Sequence, residues 1–366
     1  MTPEEMMEDV RRFQVTQVSR RGDGSIIATK EVPGRDKHEP LPGHLLKGRS
    51  SLIDAEGKVI QRWEIERLEA KQQEEAWRAV ADELSRDIKR VDPMPLPDHG
   101  FADLLAAYPV GDHHLGMYSW DKEAGADYDL QIGEDLLARA GRSLVELVKP
   151  CEVALVALLG DFLHYDSFVP ETPAHHNKLD SDTRAQRMVR VAIRSAVRLV
   201  MEALAHHNIV HVIVESGNHD PYSTAWLRET LSYHFENNPR VIVDTSPAEC
   251  HYFEFGACLV GTNHGDKIKM DQLPLVMAAD QPEAWGRTQF RYWWTGHVHN
   301  SQKQMAVLNK DFKNVSVESF RVLPPADAWT AGQGYRAIRD MKALPLHRKW
   351  GEVGRSTVNP YMWRAA

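Results

Sequence analysis

Five apolar segments between residues 105 and 300 each end in a short turn that carries aspartate, asparagine or histidine. The turns are Gly-Asp-His-His at 111–114, Gly-Asp-Phe-Leu-His at 160–164, Gly-Asn-His-Asp at 217–220, His-Gly-Asp at 264–266 and Gly-His-Val-His at 296–299. Ligand sites of open α/β sheets lie at the carboxyl ends of strands, so the five turns are expected to converge. The pattern therefore predicts a layered α/β sheet with one shared polar site.

Strand-like and helical segments alternate throughout this region. The predicted strands cover 108–112, 153–161, 210–218, 240–245, 258–265 and 291–300. The clearest helix spans 184–206, and its apolar residues recur at helical spacing on one face. Those residues are Met188, Val191, Ala192, Ala196, Leu199, Val200 and Ala203. Alternation of this kind is typical of an α/β fold with helices packed on sheets.

Residues 1–98 read as a separate accessory region. A hairpin is predicted within 46–65 with its turn at 54–57, followed by a polar helix at about 66–89 and a proline-bearing linker at 91–100. We expect a docking or accessory role there, with direct nucleic-acid contact as the alternative. The basic residues that would serve that alternative are Lys47, Arg49, Arg62 and Arg67. Residues 99–366 are predicted to form the main domain with a C-terminal extension.

Composition narrows the class of protein. The formal net charge of −8 disfavours a protein that coats nucleic acid, and three cysteines without a Cys-x-x-Cys pair disfavour a zinc ribbon or a disulfide framework. The first residues lack the basic and apolar regions of a secretory signal, and no apolar run reaches the ~18 residues of a membrane span. The expected location is the cytoplasm, without a membrane partner.

The side chains in the five turns are suited to metal binding. Aspartate oxygens, histidine nitrogens and an asparagine oxygen favour borderline-hard divalent ions such as Mn²⁺, Fe²⁺, Zn²⁺ or Mg²⁺, and no thiolate is offered. The mixture predicts two ions that share one carboxylate. Two metals ~3.5–4 Å apart bind phosphate oxygens and lower the pKa of a water, which makes it nucleophilic.

The ordered motifs resemble those of the calcineurin-like metallophosphoesterases: Asp-x-His, Gly-Asp-x-x-His, Gly-Asn-His-Asp, a lone His and Gly-His-x-His. The resemblance covers about residues 105–300 and implies a four-layer α/β/β/α sandwich. It further implies two sets of metal ligands with Asp161 in both. The first set is Asp112, His114, Asp161 and His299, and the second is Asp161, Asn218, His264 and His297.

The same resemblance suggests catalytic residues and relatives. His219 is implied as the general acid or phosphate contact, and His164 and Asp220 are included with it as catalytic candidates. His164, with Ser167 and Pro170 after it, is similar to the SbcD-type repair nucleases. The segments at 46–59, 179–184, 326–329 and 334–335 resemble phage and prophage calcineurin-like phosphoesterases, which would place the protein in a host cytoplasm.

The expected activity is hydrolysis of a phosphodiester in DNA, RNA or a nucleotide by a metal-bridging hydroxide, with two divalent ions, Mn²⁺ first among them. A small-molecule phosphomonoesterase is the runner-up, and a metal-poor binding module is a third reading. The sequence leaves the question of protein partners open. Lys267 and Lys269 are expected in a solvated turn, with phosphate contact as the alternative. Of Trp293 and Trp294, one should face the core, and the other is a candidate for stacking on a base.

Overall fold

The computed structural model describes seven ranges of the 366-residue chain: 14–20, 26–32, 44–53, 59–68, 101–298, 309–334 and 337–363. The chain forms two compact units, Met1–Glu83 and Leu84–Ala366. The predicted division at residue 98 falls outside the described ranges, so the separation of roles between 1–98 and 99–366 stays a prediction. No helix within the described ranges combines the length and the apolar character that crossing a bilayer requires.

The described part of the first unit is a four-stranded antiparallel sheet in which each strand pairs with the next. Its strands are β1 (Gln14–Arg20), β2 (Ile26–Val32), β3 (His44–Ile53) and β4 (Val59–Leu68). β3 and β4 pair where the sequence predicts a hairpin. β4 continues through Leu68, which pairs with His44. The helix predicted from residue 66 therefore does not begin before residue 69, and the rest of that prediction lies outside the described residues.

Strands and helices alternate along the second unit. Its strands are β5 (Phe101–Val110), β6 (Cys151–Leu158), β7 (Ile209–Val214), β8 (Val241–Val243), β9 (His251–Phe255), β10 (Cys258–Thr262), β11 (Phe290–Thr295), β12 (Asn309–Phe312), β13 (Val315–Ser319), β14 (Met341–His347), β15 (Gly351–Glu352) and β16 (Ser356–Val358). Its helices are α1 (Asp121–Ala124), α2 (Leu130–Leu147), α3 (Ala185–His206), α4 (Pro221–Phe235), α5 (Leu273–Asp280), α6 (Pro282–Arg287) and α7 (Ala328–Gly332). A 3₁₀ turn spans Pro360–Trp363.

The strands form two sheets with parallel centres. The first has the order β15-β14-β5-β6-β7-β8, with β16 paired to β14, and β5 to β8 are parallel. The second has the order β12-β13-β11-β10-β9, and its central strands β13, β11 and β10 are parallel. The central strands β6, β7 and β10 are mostly apolar because both faces of their sheets are covered. The predicted strands correspond to β5, β6, β7, β8, β10 and β11.

Alternate residues of β5 face different hydrophobic cores, one beneath the helices and one between the two sheets. On β5, Ala106 and Tyr108 pack against α2, α3 and α4, whereas Leu105 and Ala107 pack against the second sheet. The other face of the second sheet is covered by α5 and α6. The result is the predicted four-layer α/β/β/α arrangement.

Helix α3 matches the predicted helix within one residue, and every residue of its predicted apolar face is buried. One of Trp293 and Trp294 was expected in the core, which is confirmed, but the other is not available to stack on a base. Trp293 and Trp294 are both fully buried, in the core under α5 and α6 and in the core between the sheets, respectively. Adjacent strand residues do face opposite sides, but both sides of β11 are covered.

Candidate metal centre

A cavity of about 1260 Å³ opens where the central strands of both sheets end. Three of the five turns follow β5, β6 and β7 of the first sheet, and two follow β10 and β11 of the second. The site therefore lies across two sheets and not along one edge. Residues from all five turns line it, among them Asp112, Asp161, His219, Gly265 and His297.

The structure brings six of the seven predicted metal ligands together in two groups. Ligand atoms of Asp112, His114 and Asp161 lie within 4.8 Å of one another, and so do those of Asp161, His264 and His297. Asn218 Oδ1 lies 3.1 Å from His264 Nε2, which adds it to the second group. His299 lies outside the described residues. Asp161 belongs to both groups, as a bridging carboxylate must.

Main-chain hydrogen bonds between the turns fix the relative positions of the two ligand groups. The N–H groups of His113 and His114 donate to the Asp161 carbonyl at 3.1 and 2.9 Å. His297 follows β11 of the second sheet, and its N–H donates to Asp112 Oδ1, after β5 of the first sheet, at 2.9 Å. Gly296 precedes it with no side chain, since a Cβ there would overlap Asp112. Main-chain N–H groups thus connect the turns, through the Asp161 carbonyl in one case and the Asp112 carboxylate in the other.

Three of the predicted ligands have a strained backbone. His114, Asp161 and His297 have positive φ angles of 46°, 46° and 58°. Non-glycine residues rarely adopt this region, which costs about 1–2 kcal/mol per residue. Strain of this kind concentrates at functional sites, where the surrounding fold holds the side chains in place.

The electrostatics of the site centre on Asp161 and His264. Burial alone would raise the pKa of the Asp161 carboxyl, but the charges of His264, His219 and His114 outweigh it and hold the pKa well below its usual range. Burial would likewise lower the pKa of His264, but Asp161, 3.3 Å from its Nε2, raises it to about 10. A buried acid that stays ionised offers a strong anchor for cations.

The orientation of His264 fits metal binding. Its Nδ1 donates to the Leu159 carbonyl at 2.8 Å, so Nε2 points at Asp161 and Asn218. Ligand histidines usually have their second nitrogen held in this way, because the hydrogen bond sets the tautomer and the ring direction. With the carboxylates and the amide oxygen, the donor set suits a pair of divalent ions.

His219 is held by both its main chain and its ring. Its N–H donates to Asp161 Oδ1, and its ring Nδ1 donates to the His164 carbonyl, both at 2.8 Å. With Nδ1 occupied, Nε2 is the nitrogen left for a substrate in the cavity, which His219 lines. The geometry therefore permits the predicted proton-donor role.

His164 lies against two other histidines. Its Nδ1 is 3.4 Å from His114 Nδ1, and its ring stacks on His219 with 5.6 Å between centroids. Burial first, and the neighbouring His219 second, lower the pKa of His164 to about 3, so its imidazole is neutral. His114, His164 and His219 form a third close group of ligand-type atoms. His164 also lines the cavity, as expected of a residue in the site.

The carboxylate of Asp220, a catalytic candidate from the sequence, is held by main-chain N–H groups. It is fully buried, and its carboxylate accepts from the N–H groups of Asp161, Leu163 and Gly217 at 3.2, 3.0 and 3.1 Å. These contacts favour a positioning role over a catalytic one, because Asp220 joins the turn after β6 to the turn after β7.

Asp166 and His113 lie near the site but are not among the site residues that the sequence predicts. Asp166 accepts from the N–H of Ser223 at 2.7 Å and from that of Tyr222, and so fixes the start of α4 directly after His219. An acidic residue 56 positions before its partner carries no local signal. His113 points into the core, where its Nε2 contacts the Gly133 carbonyl at 2.9 Å and burial lowers its pKa to about 4.

No protein-family model and no curated protein matches the chain. Among solved structures, a predicted phosphoesterase from Streptococcus pneumoniae TIGR4 is 11% identical, covers 70% of this chain and 97% of its own, and has a TM-score of 0.29. Vps29 complexed with Zn²⁺ from Entamoeba histolytica is 12% identical, with coverages of 69% and 98% and a TM-score of 0.30. A 5'-nucleotidase precursor from Thermus thermophilus is 11% identical, with coverages of 69% and 54% and a TM-score of 0.32.

These similarities are too distant to assign a function. The chain resembles the calcineurin-like metallophosphoesterases in its own features: the order of the five motifs, the four-layer architecture and the two ligand groups that share Asp161.

Proposed function

We propose that this chain is a metal-dependent phosphoester hydrolase with a two-metal site, and that its substrate is a phosphodiester of a nucleic acid or a nucleotide. The observation that supports it most is the pair of ligand groups joined by Asp161. A single-metal or purely structural site has no need of a carboxylate shared between two three-residue groups.

The residues divide between holding metal and assisting reaction. Asp112, His114 and Asp161 would hold one ion, and Asp161 with Asn218, His264 and His297 the other. When bound, such ions neutralise phosphate charge and lower the pKa of a water molecule.

His219 assists departure of the leaving group. Its Nδ1–H stays on the His164 carbonyl at 2.8 Å, which orients the ring and leaves Nε2 to donate a proton to the leaving oxygen. After the proton has left, Nδ1 still donates, so the ring keeps its orientation through the cycle.

The cavity supports a diester over a small monoester. At about 1260 Å³ it exceeds the ~300–1000 Å³ of pockets that enclose one small ligand. Lysines from three segments, Lys178, Lys269 and Lys310, line it beyond the ligand groups. A diester within a longer chain brings further phosphates for such cations, whereas the single phosphate of a monoester is met by the metals.

The test combines metal analysis with two chromogenic substrates. We expect purified full-length protein to bind two equivalents of Mn²⁺ and to hydrolyse bis-p-nitrophenyl phosphate faster than p-nitrophenyl phosphate. Activity should disappear with a chelator and return with Mn²⁺. Faster hydrolysis of the monoester would overturn the diester assignment. Metal binding without hydrolysis of either ester would favour a binding module.

A further inference from the structure

We infer that the hydroxyl of Ser319 is a positioning group for both metal sites, because it holds the main chain of the Gly-His-Val-His turn at 296–299, from which one ligand of each site is expected. The inference rests on the proposed function, since it concerns the two-metal site assigned there. Ser319 lies 23 residues after Gly296 and belongs to none of the five motifs.

Ser319 ends β13 directly beside this turn. β13 pairs in parallel with β11, and Ser319 is the register partner of Thr295, the last residue of β11 before the turn. The N–H of Phe320 donates to the Thr295 carbonyl at 2.8 Å, which keeps the end of β13 next to the start of the turn. Ser319 is only 2% exposed, so water does not compete for its hydroxyl.

Two carbonyl groups of the turn converge on the Ser319 hydroxyl. Its Oγ lies 2.7 Å from the Gly296 oxygen and 2.7 Å from the Val298 oxygen. A serine hydroxyl carries one proton, so it donates to one carbonyl at a time, and both carbonyls face the same donor. The Val298 N–H also donates to the Gly296 carbonyl at 2.7 Å, which closes the turn. One side chain thus holds the turn at two points.

The two carbonyls belong to the peptide groups that lead into the two histidines of the motif. The Gly296 carbonyl precedes His297, a member of the second ligand group, and the Val298 carbonyl precedes His299, which the motif resemblance assigns to the first. A peptide group is planar, so the direction of its carbonyl also sets where the next residue begins. His297 has a positive φ of 58°, a conformation that persists only where the surroundings hold it. Ser319 supplies part of that support.

The segment that follows Ser319 also contacts the first turn. A Cβ at Gly111 would lie only 2.6 Å from the Arg321 carbonyl oxygen. Residues 319–321 therefore contact one ligand-bearing turn from each sheet, the turn after β5 and the turn after β11. Because two metals that share a carboxylate lie ~3.5–4 Å apart, a small shift between these turns should weaken the binding of both.

The experiment measures Mn²⁺ binding by the full-length protein, with free Mn²⁺ followed by electron paramagnetic resonance. We expect Ser319→Ala to bind both equivalents about 10- to 100-fold more weakly, the loss typical when a group that orients metal ligands is removed. Ser319→Thr keeps the hydroxyl and should retain most of the wild-type affinity. At saturating Mn²⁺ the kcat of Ser319→Ala on bis-p-nitrophenyl phosphate should approach the wild-type value, since Ser319 is buried and is not among the described residues that line the cavity.

The matched control is Ser119→Ala. The Ser119 hydroxyl is also buried and also faces two carbonyls, those of Ala126 and Ala326, at 3.0 and 2.9 Å, and neither belongs to the five turns. Both alanine variants remove a buried donor, so both should be less stable to denaturant in the presence of a chelator. Only Ser319→Ala should change the affinity for Mn²⁺.

Mn²⁺ affinity of Ser319→Ala equal to that of wild type would overturn the inference, as would an equal loss of affinity in Ser119→Ala. Weakening of one binding step alone would overturn the assignment to both sites. A loss in Ser319→Thr as large as in Ser319→Ala, at wild-type stability, would show that the hydroxyl is not the group responsible.

Failure of the proposed function is separately visible. Wild-type protein that binds Mn²⁺ but hydrolyses neither nitrophenyl ester would refute the hydrolase, while weaker Mn²⁺ binding by Ser319→Ala would still support the positioning role. Wild-type protein that binds no Mn²⁺ would overturn both.

Discussion

The main-chain N–H of His219 donates to Asp161 Oδ1 at 2.8 Å. His219, the residue proposed to protonate the leaving group, is thus hydrogen-bonded to Asp161, the carboxylate that belongs to both ligand groups. The other carboxylate oxygen, Oδ2, lies 3.3 Å from His264 Nε2. Asp161 would therefore set the position of a bound metal relative to the proposed proton donor.

Asp161→Asn should reduce activity severely. The change keeps the side chain's size but removes the negative charge that two cations would share. We expect kcat to fall by about 10²–10⁴-fold, as loss of several kcal/mol of charge stabilisation implies, and bound Mn²⁺ to drop below two equivalents. Elemental analysis and hydrolysis of bis-p-nitrophenyl phosphate measure both. Near-normal kcat with two bound metals would contradict the bridging assignment.

His219→Gln should separate chemistry from metal binding. We expect both metals to remain, with a loss of about 10²–10⁴-fold on a dinucleotide, whose alkoxide needs a proton. The loss on a nitrophenyl ester should be much smaller, because nitrophenolate leaves without protonation. The exposed His175→Gln serves as control. Equal losses on both esters would instead indicate that His219 binds phosphate.

Gly217→Ala should displace Asp161. A Cβ at Gly217 would overlap both the Oδ1 and the main-chain nitrogen of Asp161, and a backbone neighbour cannot swing aside. We expect weaker Mn²⁺ binding and lower kcat. Gly286→Ala is the matched control, since a Cβ there meets nothing within 4 Å. Its position in α6 predicts unchanged or slightly higher stability, by up to ~1 kcal/mol. Identical Mn²⁺ affinity in the two variants would show that the site tolerates the shift.

The buried pair of Glu215 and His251 should make stability depend on pH. His251 Nδ1 lies 3.0 Å from both Glu215 oxygens, and the pair joins the end of β7 to the start of β9 in the other sheet. Burial would lower the pKa of His251, but the hydrogen bond and charge of Glu215 raise it. Stabilisation by the charged pair is thus complete below the ordinary histidine pKa of about 6.5 and is lost as pH rises through the raised value.

Glu215→Gln should accordingly lower the free energy of unfolding by about 3–5 kcal/mol at pH 6, since it leaves a buried histidine without its ionic partner. The difference from wild type should shrink at pH 9. Denaturant unfolding at both pH values measures it, with the exposed Glu229→Gln as control. A difference that is the same at pH 6 and pH 9 would contradict the ion pair.

Deletion of residues 1–98 should leave a folded protein that hydrolyses bis-p-nitrophenyl phosphate. β5, which begins at Phe101, retains its hydrogen bond to Pro150 and its place in the first sheet. Every described ligand lies after the deleted segment. Solubility, metal content and activity of the shortened chain are the readouts. Loss of this activity while both metals stay bound would show that the N-terminal region completes the site.

Much of the site could be predicted because its signals are local. Each turn directly follows its strand, so the sequence places Asp112 after β5 and Asp161 after β6 within a few residues. The apolar face of α3 is equally local, since helical spacing alone identifies it. Residue type then limits the chemistry, because carboxylates, imidazoles and an amide without a thiolate select one class of metal.

What the sequence by itself determined is thus the order of six strands and one long helix, the ligand types and the class of reaction to expect. Only the tertiary structure decided that the turns come from two sheets and that the Asp220 carboxylate is buried against main-chain N–H groups. It also decided that the Ser319 hydroxyl meets the turn at 296–299 and that Trp293 and Trp294 are both buried. The physical reason is distance along the chain. These features depend on which distant segments pack together, whereas hydrophobic periodicity and short motifs describe only residues that are close in sequence.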